Sequence, residues 1–466
     1  WKARCPIARC RERLVGEGLL NRQDEEATIT RLAEEIDAAF RFAKDSPVPE
    51  PEGLLEHVYA PSHALAAQPA AESHNVMWVS AGGTTAPPKS GALPGRGTMT
   101  RALTYAEAIR EALEVCLAKD PAVYLIGLGV PDPKGVFGTT VGLQQRYGPS
   151  RVMDMPTSEN GITGIAIGSA LTGMRPVVSH QRVDFSVLAM EQMVNQAAKW
   201  RYMFGGKLSV PLVIRMIIGR GWGQGPQHSQ SLQAWFAHVP GLKVVMPATP
   251  ADAKGLLIAS IEDNNPVIFL EHRWLHTISG EVPEGTYRVA LGKARVAREG
   301  GDVTIVATSY MVLEALRAAE RLAEDGIGVE VIDVRSLRPL DERTILESVR
   351  KTGRLVVADT GWATCGFAAE VVAVACEQAF EHLTRPPRRV ALPDGPCPSS
   401  AALANHYYPR SVHLIEAARA LVESRGEPPG NAVARRGIGV AGGDGAFVEA
   451  SSVPLDVPDL SFTGPF

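Results

Sequence analysis

Cysteine is scarce in this chain and badly spaced for chemistry. The six cysteines lie at 5, 10, 116, 365, 376 and 397, with no C-x-x-C pair and none beside a pair of histidines. That argues against a metal cluster and suits a reducing cytoplasm better than a disulfide framework. Long apolar runs are also missing, because Gly, Pro or a charge interrupts each one before membrane-spanning length. No charge of one sign dominates: 47 Lys and Arg face 51 Asp and Glu, leaving −4. That balance gives no reason to expect nucleic acid or an anionic membrane as partner. The basic start, WKARCPIARCRERLVGEGLL, lacks the apolar core and small-residue cleavage site of a signal peptide. Beginning on Trp1 rather than Met, the chain reads as a fragment or a processed product.

What is present is organised by period. Residues 1–60 read as helical. Asn21 is a candidate N-cap, and Ile29, Leu32, Ile36, Phe40 and Phe42 recur at roughly helical spacing up to Ser46-Pro47. This segment is too small to bury its own apolar face, so it expects a partner surface. Residues 61–98, with AGGTTAPPKSGALPGRG, read as a flexible linker. Thr104 and Glu107 then form a capping-box pattern.

Apolar runs at 123–126, 152–153, 176–178, 211–214, 242–246 and 267–270 alternate with helical patterns at 140–147, 162–171, 185–198 and 251–261. Residues 276–300 read as an irregular crossing. A second alternation follows, with strands at 303–307, 329–334 and 355–358 and helices at 311–322, 341–349 and 367–380. The expected class is α/β: two domains with parallel or mixed sheets, at 99–285 and 286–425, behind a helical N-terminal segment. Residues 426–466 are a Pro/Gly-rich tail.

Four places invite chemistry. Glu159 stands at the mouth of a small-residue helix in PTSENGITGIAIGSALTGM. It is either a cap or a proton-handling group. Phe185 begins the next helix and would be core by default. GRGWGQGPQHSQ, at 219–230, has the glycine density of a close ligand approach or a mobile loop, without the G-K-[ST] of a P-loop. Its His228 is either a surface imidazole or a catalytic or substrate-binding one. IEDNNPV, at 261–267, is either a helix end with a left-handed Asn or a ring of carbonyl oxygens suited to a hard cation. GIGVAG, at 437–442, matches a dinucleotide fingerprint by letter, but no buried strand precedes it and no helix follows.

These motifs line up with one family. Residues 99–425 resemble the beta subunit of the thiamine diphosphate-dependent decarboxylating component of 2-oxoacid dehydrogenase complexes. The resemblance rests on PTSENGITGIAIGSALTGMRPVV, FSVLAMEQMVNQAAKW, GQGPQHSQSLQAWFAHVPGLKVVMPATPADAKGLL, DNNPVIFLE and DVRSLRPLD. Residues 1–60, with FAKDSPVPEPEGLLEHVYA, resemble the C-terminal end of the alpha subunit. The chain therefore reads as an alpha–beta fusion whose front was lost.

The resemblance implies a transketolase-like pyrimidine-binding domain followed by a transketolase C-terminal domain. It implies that Glu159 hydrogen-bonds the pyrimidine nitrogen of the cofactor and that Phe185 packs on that ring. It puts His228 at the entrance for the substrate and the lipoyl group. Leu212, Ser260, Ile261, Asp263 and Asn265 match a structural potassium site made largely of backbone carbonyls. The implied partners are an alpha subunit in an alpha2beta2-type heterotetramer, a lipoyl-bearing acyltransferase and a 2-oxo acid.

A complete diphosphate–magnesium motif is missing, since GDG at 443–445 has no asparagine after it. Magnesium and half of the cofactor site are then expected from the alpha side. Three residues or stretches depart from the family pattern. Leu128 stands where many relatives carry Glu, which questions a proton relay beyond Glu159. The polar turn SHQRVDF puts His180 and Arg182 near the expected substrate, as an acidic or unusual 2-oxo acid would need. Cys365 interrupts a Gly-Gly pair. Two other readings compete: a transketolase-like carbon–carbon ligase without lipoyl transfer, and a non-catalytic assembly subunit.

Overall fold

The Asn21 side chain opens a helix, Arg22–Asp45, by accepting the Asp24 N–H at 2.9 Å. The helix stops before Ser46, whose extended backbone suits the residue ahead of a proline. A shorter helix, Pro6–Gly16, precedes it. The apolar stripe of the long helix faces outward, from 45% exposed at Leu32 to 75% at Phe42. These helices form one compact unit, Trp1–Glu56, and the second is His57–Phe466. This computed structural model describes residues 6–47, 59–60, 100–221 and 223–423. The linker expected at 61–98, the tail at 426–466 and both glycine signatures in that tail lie outside the described residues.

Strands of the second unit, in chain order, are β1 Thr100–Thr104, β2 Val123–Gly127, β3 Val152–Met153, β4 Arg175–His180, β5 Val213–Ile218, β6 Lys243–Val245 and β7 Val267–His272. They continue as β8 Ser279–Pro283, β9 Arg295–Arg298, β10 Val303–Ala307, β11 Val329–Asp333, β12 Ser336–Arg338, β13 Leu355–Trp362 and β14 Arg388–Leu392. The first sheet has the order β12-β6-β7-β5-β4-β2-β3 and is parallel except for β12. The second has the order β14-β13-β10-β11-β9 and is parallel except for β9. This is the α/β class with two parallel or mixed sheets that the alternation predicts.

Apolar runs become central strands because both faces are covered. Val213 and Ile217 of β5 join a core with Tyr105, Ile109, Leu113, Leu257 and Phe269 on one face. Ile214, Met216 and Ile218 join a different core with Ile162, Ala166, Met193 and Phe236 on the other. That second core runs on into Val306, Ile332, Leu355 and Val371, so the two sheets share packing. The capping box is made as expected. Thr104 N–H donates to Glu107 Oε2 at 2.7 Å, and Glu107 N–H to Thr104 Oγ1 at 3.2 Å.

Two expectations need correction. Residues 185–198 do not form one helix. The chain makes a short turn, Val183–Ser186, a 3₁₀ turn, Val187–Ala189, and a widened π-type stretch, Gln192–Ala197. Buried Ala189, Met193 and Ala197 recur at an interval of four, which a wide turn aligns better than a 3.6-residue one. Residues 276–300 are more ordered than an irregular crossing. β8 pairs antiparallel with β1, and β9 closes an edge of the second sheet.

Candidate active site

Strands β3, β4 and β5 point their C-terminal ends at one edge, where α/β sheets place ligand-bearing loops. Beyond β3 the chain turns through Met155–Ser158 and starts the helix Glu159–Leu171. Ser158 precedes the helix and makes no side-chain cap. Glu159 is its first residue and is 9% exposed. Thr163, one turn on, donates its hydroxyl to the Glu159 carbonyl at 2.7 Å and faces His180 Nε2 at 3.5 Å. Among the described residues no group donates to the Glu159 carboxylate. It therefore does not cap the helix by a side-chain bond. An anionic group at a helix N-terminus is favoured by the backbone dipoles.

The other two candidates meet. Phe185 is half-buried rather than core, and His228 sits half-buried on the short turn Pro226–His228. Their rings touch edge-on, with centroids 5.1 Å apart and planes at 87°. The first turn of the Glu159 helix is tied to the turn after Phe185 by Asn160 Nδ2, which donates to the Leu188 carbonyl at 3.4 Å. One edge of the sheet thus gathers the Glu159 helix, Phe185 and His228.

The polar turn between them is inside the protein. His180 is 4% exposed, and burial pushes its imidazole down to about 4, so it is neutral at pH 7. Arg182 is buried as well and lies over the Phe137 ring at 5.7 Å. Leu128 is half-buried, and its carbonyl accepts from Gln181 Nε2 at 3.2 Å. Cys365 takes a left-handed backbone, φ +53, in an exposed turn.

The residues expected to hold potassium do lie at one corner. The helix Pro250–Glu262 ends there in Asp263 with extended backbone, not in a left-handed Asn. Side chains stabilise the turn instead: Asp263 Oδ1 accepts from Asn265 N–H at 2.8 Å and from its Nδ2 at 2.7 Å. Lys243 Nζ bonds Asp263 Oδ2 at 2.6 Å. Arg175 Nη1 donates to the carbonyls of Ile261 and Asp263 at 3.0 and 3.1 Å. The Leu212 and Ser260 carbonyls accept the Val267 and Asp263 N–H groups at 2.8 and 3.3 Å. Asn265 also donates to the Ala60 carbonyl at 3.2 Å. Two built-in cations therefore already serve this corner, and two of the expected oxygens point at one of them.

One buried pair escaped the sequence reading. Arg215 on β5 holds Glu271 on β7 through Nε–Oε1 at 2.7 Å and Nη2–Oε2 at 3.0 Å. Arg215 Nη2 also donates to Thr139 Oγ1 at 2.9 Å, and His276 Nε2 lies 3.3 Å from Glu271 Oε2. Burial acts to raise the Glu271 carboxyl, yet Arg215 and His276 beside it win and hold it below the usual range. The available signal was a charge of each sign inside two apolar strand runs, since such charges survive burial only when paired.

The chain is similar to known proteins over both sheets. The transketolase pyrimidine-binding domain matches residues 101–277, and the transketolase C-terminal domain matches residues 292–414. The beta subunit of an acetoin:2,6-dichlorophenolindophenol oxidoreductase from Cupriavidus necator is 45% identical over 331 residues, 69% of this chain and 98% of that one. The mitochondrial pyruvate dehydrogenase E1 component subunit beta-2 of Oryza sativa subsp. japonica is 44% identical over 321 residues, covering 68% and 85%. Among solved structures, a split-gene transketolase described as an inactive beta4 tetramer superposes with a TM-score of 0.57 at 25% identity, over 69% of this chain and 98% of that one.

Proposed function

Since this chain belongs to the family of E1 beta subunits of pyruvate- and acetoin-type dehydrogenases, built from transketolase pyrimidine-binding and C-terminal domains, we propose that it is the beta half of a thiamine diphosphate-dependent 2-oxoacid dehydrogenase. In this reading it is an oxidoreductase that works with an alpha subunit in an alpha2beta2-type assembly and passes an acyl group to a lipoyl-bearing acyltransferase. The domain division at 285/286 belongs to the same proposal.

The observation that carries it is the gathering of a nearly buried carboxylate without a donor, a half-buried aromatic and an imidazole on one sheet edge. That donor set fits the pyrimidine end of the cofactor. Glu159 would accept the hydrogen bond of a ring nitrogen, Phe185 would pack on the ring, and His228 would stand where substrate and lipoyl group enter. When bound, thiamine diphosphate supplies a nucleophilic carbon and an electron sink for decarboxylation. Glu159 would fix the ring nitrogen, and the neutral imidazole of His180 packs behind the Glu159 helix through Thr163. Diphosphate and magnesium are assigned to the alpha side, in keeping with the incomplete GDG motif. The solved neighbour is inactive as a beta tetramer, which supports a need for the second chain here.

Potassium at the Leu212, Ser260, Ile261, Asp263 and Asn265 corner would have to share it with Arg175 and Lys243. Unfolding in potassium chloride against choline chloride tests it: a bound ion raises the midpoint with concentration, and coincident curves remove it. No helix among the described residues is long and apolar enough to cross a membrane. A cytoplasmic location is part of the proposal.

The substrate is open between two chemistries, because the named relatives divide between pyruvate and acetoin. The test supplies this chain with an alpha subunit, a lipoylated acceptor and either compound. Lipoyl acylation from pyruvate with release of carbon dioxide supports the proposal, whereas acylation from acetoin alone, with release of acetaldehyde, would replace the 2-oxo acid by a hydroxyketone. Aldehyde condensation without acylation would replace it with a carbon–carbon ligase, and failure ever to bind cofactor with alpha protein would replace it with an assembly role.

A further inference from the structure

The polar turn SHQRVDF and the glycine-rich loop were separate oddities in the sequence. In the fold each explains the other. The loop closes on itself at its base, where Gly219 N–H donates to the Gln230 carbonyl at 3.1 Å. Gly219 has φ +73, and a Cβ there would fall 2.4 Å from His272 Nε2, so only glycine lets β5 end this way.

Arg182 reaches into the closed loop from the end of β4. Its Nη1 donates to the Gly219 carbonyl at 2.6 Å and its Nη2 to Gln224 Oε1. The same Gln224 oxygen accepts the Gly221 N–H at 3.0 Å. A Cβ on Gly221 would lie 2.6 Å from that oxygen and 3.1 Å from Arg182 Nη2, so the glycine is what admits both groups. Two residues on, Asp184 Oδ1 accepts from Gln230 N–H at 3.3 Å and from Gln230 Nε2 at 2.9 Å. Next in the chain is Phe185, against His228. Across the loop, Arg220 donates to the Gln224 carbonyl at 3.1 Å and to the Ser399 carbonyl at 2.8 Å.

We propose that Arg182 and Gln224 form a latch that holds the 219–230 loop, and with it His228, in place against Phe185. Arg182 is thereby a positioning residue for the loop, which both of its terminal nitrogens bind, while its buried Nε–H finds no hydrogen-bond partner among the described residues. A planar guanidinium spans two acceptors at fixed separation; a lysine ammonium does not. The consequence for turnover rests on the reading of His228 as an entrance residue. A latched loop is already in its binding conformation. An unlatched one has its apparent affinity reduced by the fraction of time it is correctly placed, with little change once substrate is bound.

The experiment uses Gln224→Ala and Gln224→Glu in the full chain. Hydrogen–deuterium exchange is read on the peptide covering 219–230, with the rest of the map as the check on folding. Losing an acceptor shared by a charged donor is expected to speed exchange there by about tenfold or more. Gln224→Glu keeps the acceptor and is expected to restore protection. With an alpha subunit, Gln224→Ala is expected to raise KM about tenfold while kcat stays within about twofold. Unchanged exchange in a folded Gln224→Ala chain overturns the latch, whatever the enzyme does. Faster exchange with an unchanged KM overturns its link to substrate entry. A wild-type chain inactive with every alpha partner refutes the functional reading instead, and the exchange comparison still judges the latch.

Discussion

Replacing Glu271 by Gln keeps the shape of the side chain and removes its charge. Arg215 is 2% exposed and Glu271 is fully buried, so the guanidinium left behind has no bulk water to turn to. Breaking a buried pair from one side typically costs about 3–5 kcal/mol, because the remaining charge is uncompensated. That is a large part of the roughly 5–15 kcal/mol that holds a domain folded. The damage also reaches the loop after β2, since Arg215 holds Thr139. The paired change Arg215→Met with Glu271→Leu behaves differently. It removes both charges and keeps apolar volume, so it should cost less than either single change, near about 1 kcal/mol for the lost Thr139 bond. Urea unfolding at neutral pH, followed by circular dichroism, measures the wild type, Arg215→Met, Glu271→Leu and the double variant as a cycle, with Glu271→Gln beside them. A Glu271→Gln loss below about 1 kcal/mol, or a double variant worse than both singles, refutes the reasoning.

Other outcomes follow from the same geometry. His180, His272 and His276 are pushed by burial to about 4, about 3 and about 4, against an ordinary 6.5. Their folded values are depressed, so the unfolded chain takes up protons first as pH falls. The stability they contribute is present above about pH 6.5 and is lost towards about pH 4, at roughly 1.4 kcal/mol per unit for each. Unfolding between about pH 7 and about pH 5 should show the fall, and His180→Gln should make it shallower; a flat profile contradicts the assignment. Cys365 holds φ +53, which strains a side chain by about 1–2 kcal/mol. Cys365→Gly should therefore stabilise by about 0.5–1 kcal/mol after glycine's entropy is subtracted, and Cys365→Val should destabilise; the reverse order in melting experiments would discard that account.

Local rules carried much of the fold. Asn21, the Thr104–Glu107 box and the apolar runs of β2, β4 and β7 depend on neighbours in sequence, and each appears close to where the pattern puts it, whereas β5 at Val213–Ile218 is shifted along from the expected 211–214. What local rules could not show depends on register. β12 is three residues of SLR that join the first sheet from within the second alternation, beside β6. Arg215 and Glu271 meet only because β5 and β7 are adjacent. The left-handed Asn expected after the Pro250–Glu262 helix gives way to Asp263, whose carboxylate and carbonyl find four side-chain and backbone partners in the folded turn. The bond from Arg182 to Gln224 likewise depends on the fold, because the two stand 42 residues apart. Glu159, Phe185 and His228 were legible as chemistry-bearing residues, but the contact between the last two belongs to the fold alone.

The central claim is that Glu159 handles the cofactor's ring nitrogen in a site completed by a second chain. It is tested most directly with Glu159→Gln, mixed with an alpha subunit and assayed for both assembly and acylation of a lipoyl acceptor. The expected result is an assembled complex whose turnover falls by about a hundredfold or more. Near-normal turnover in that complex would contradict it.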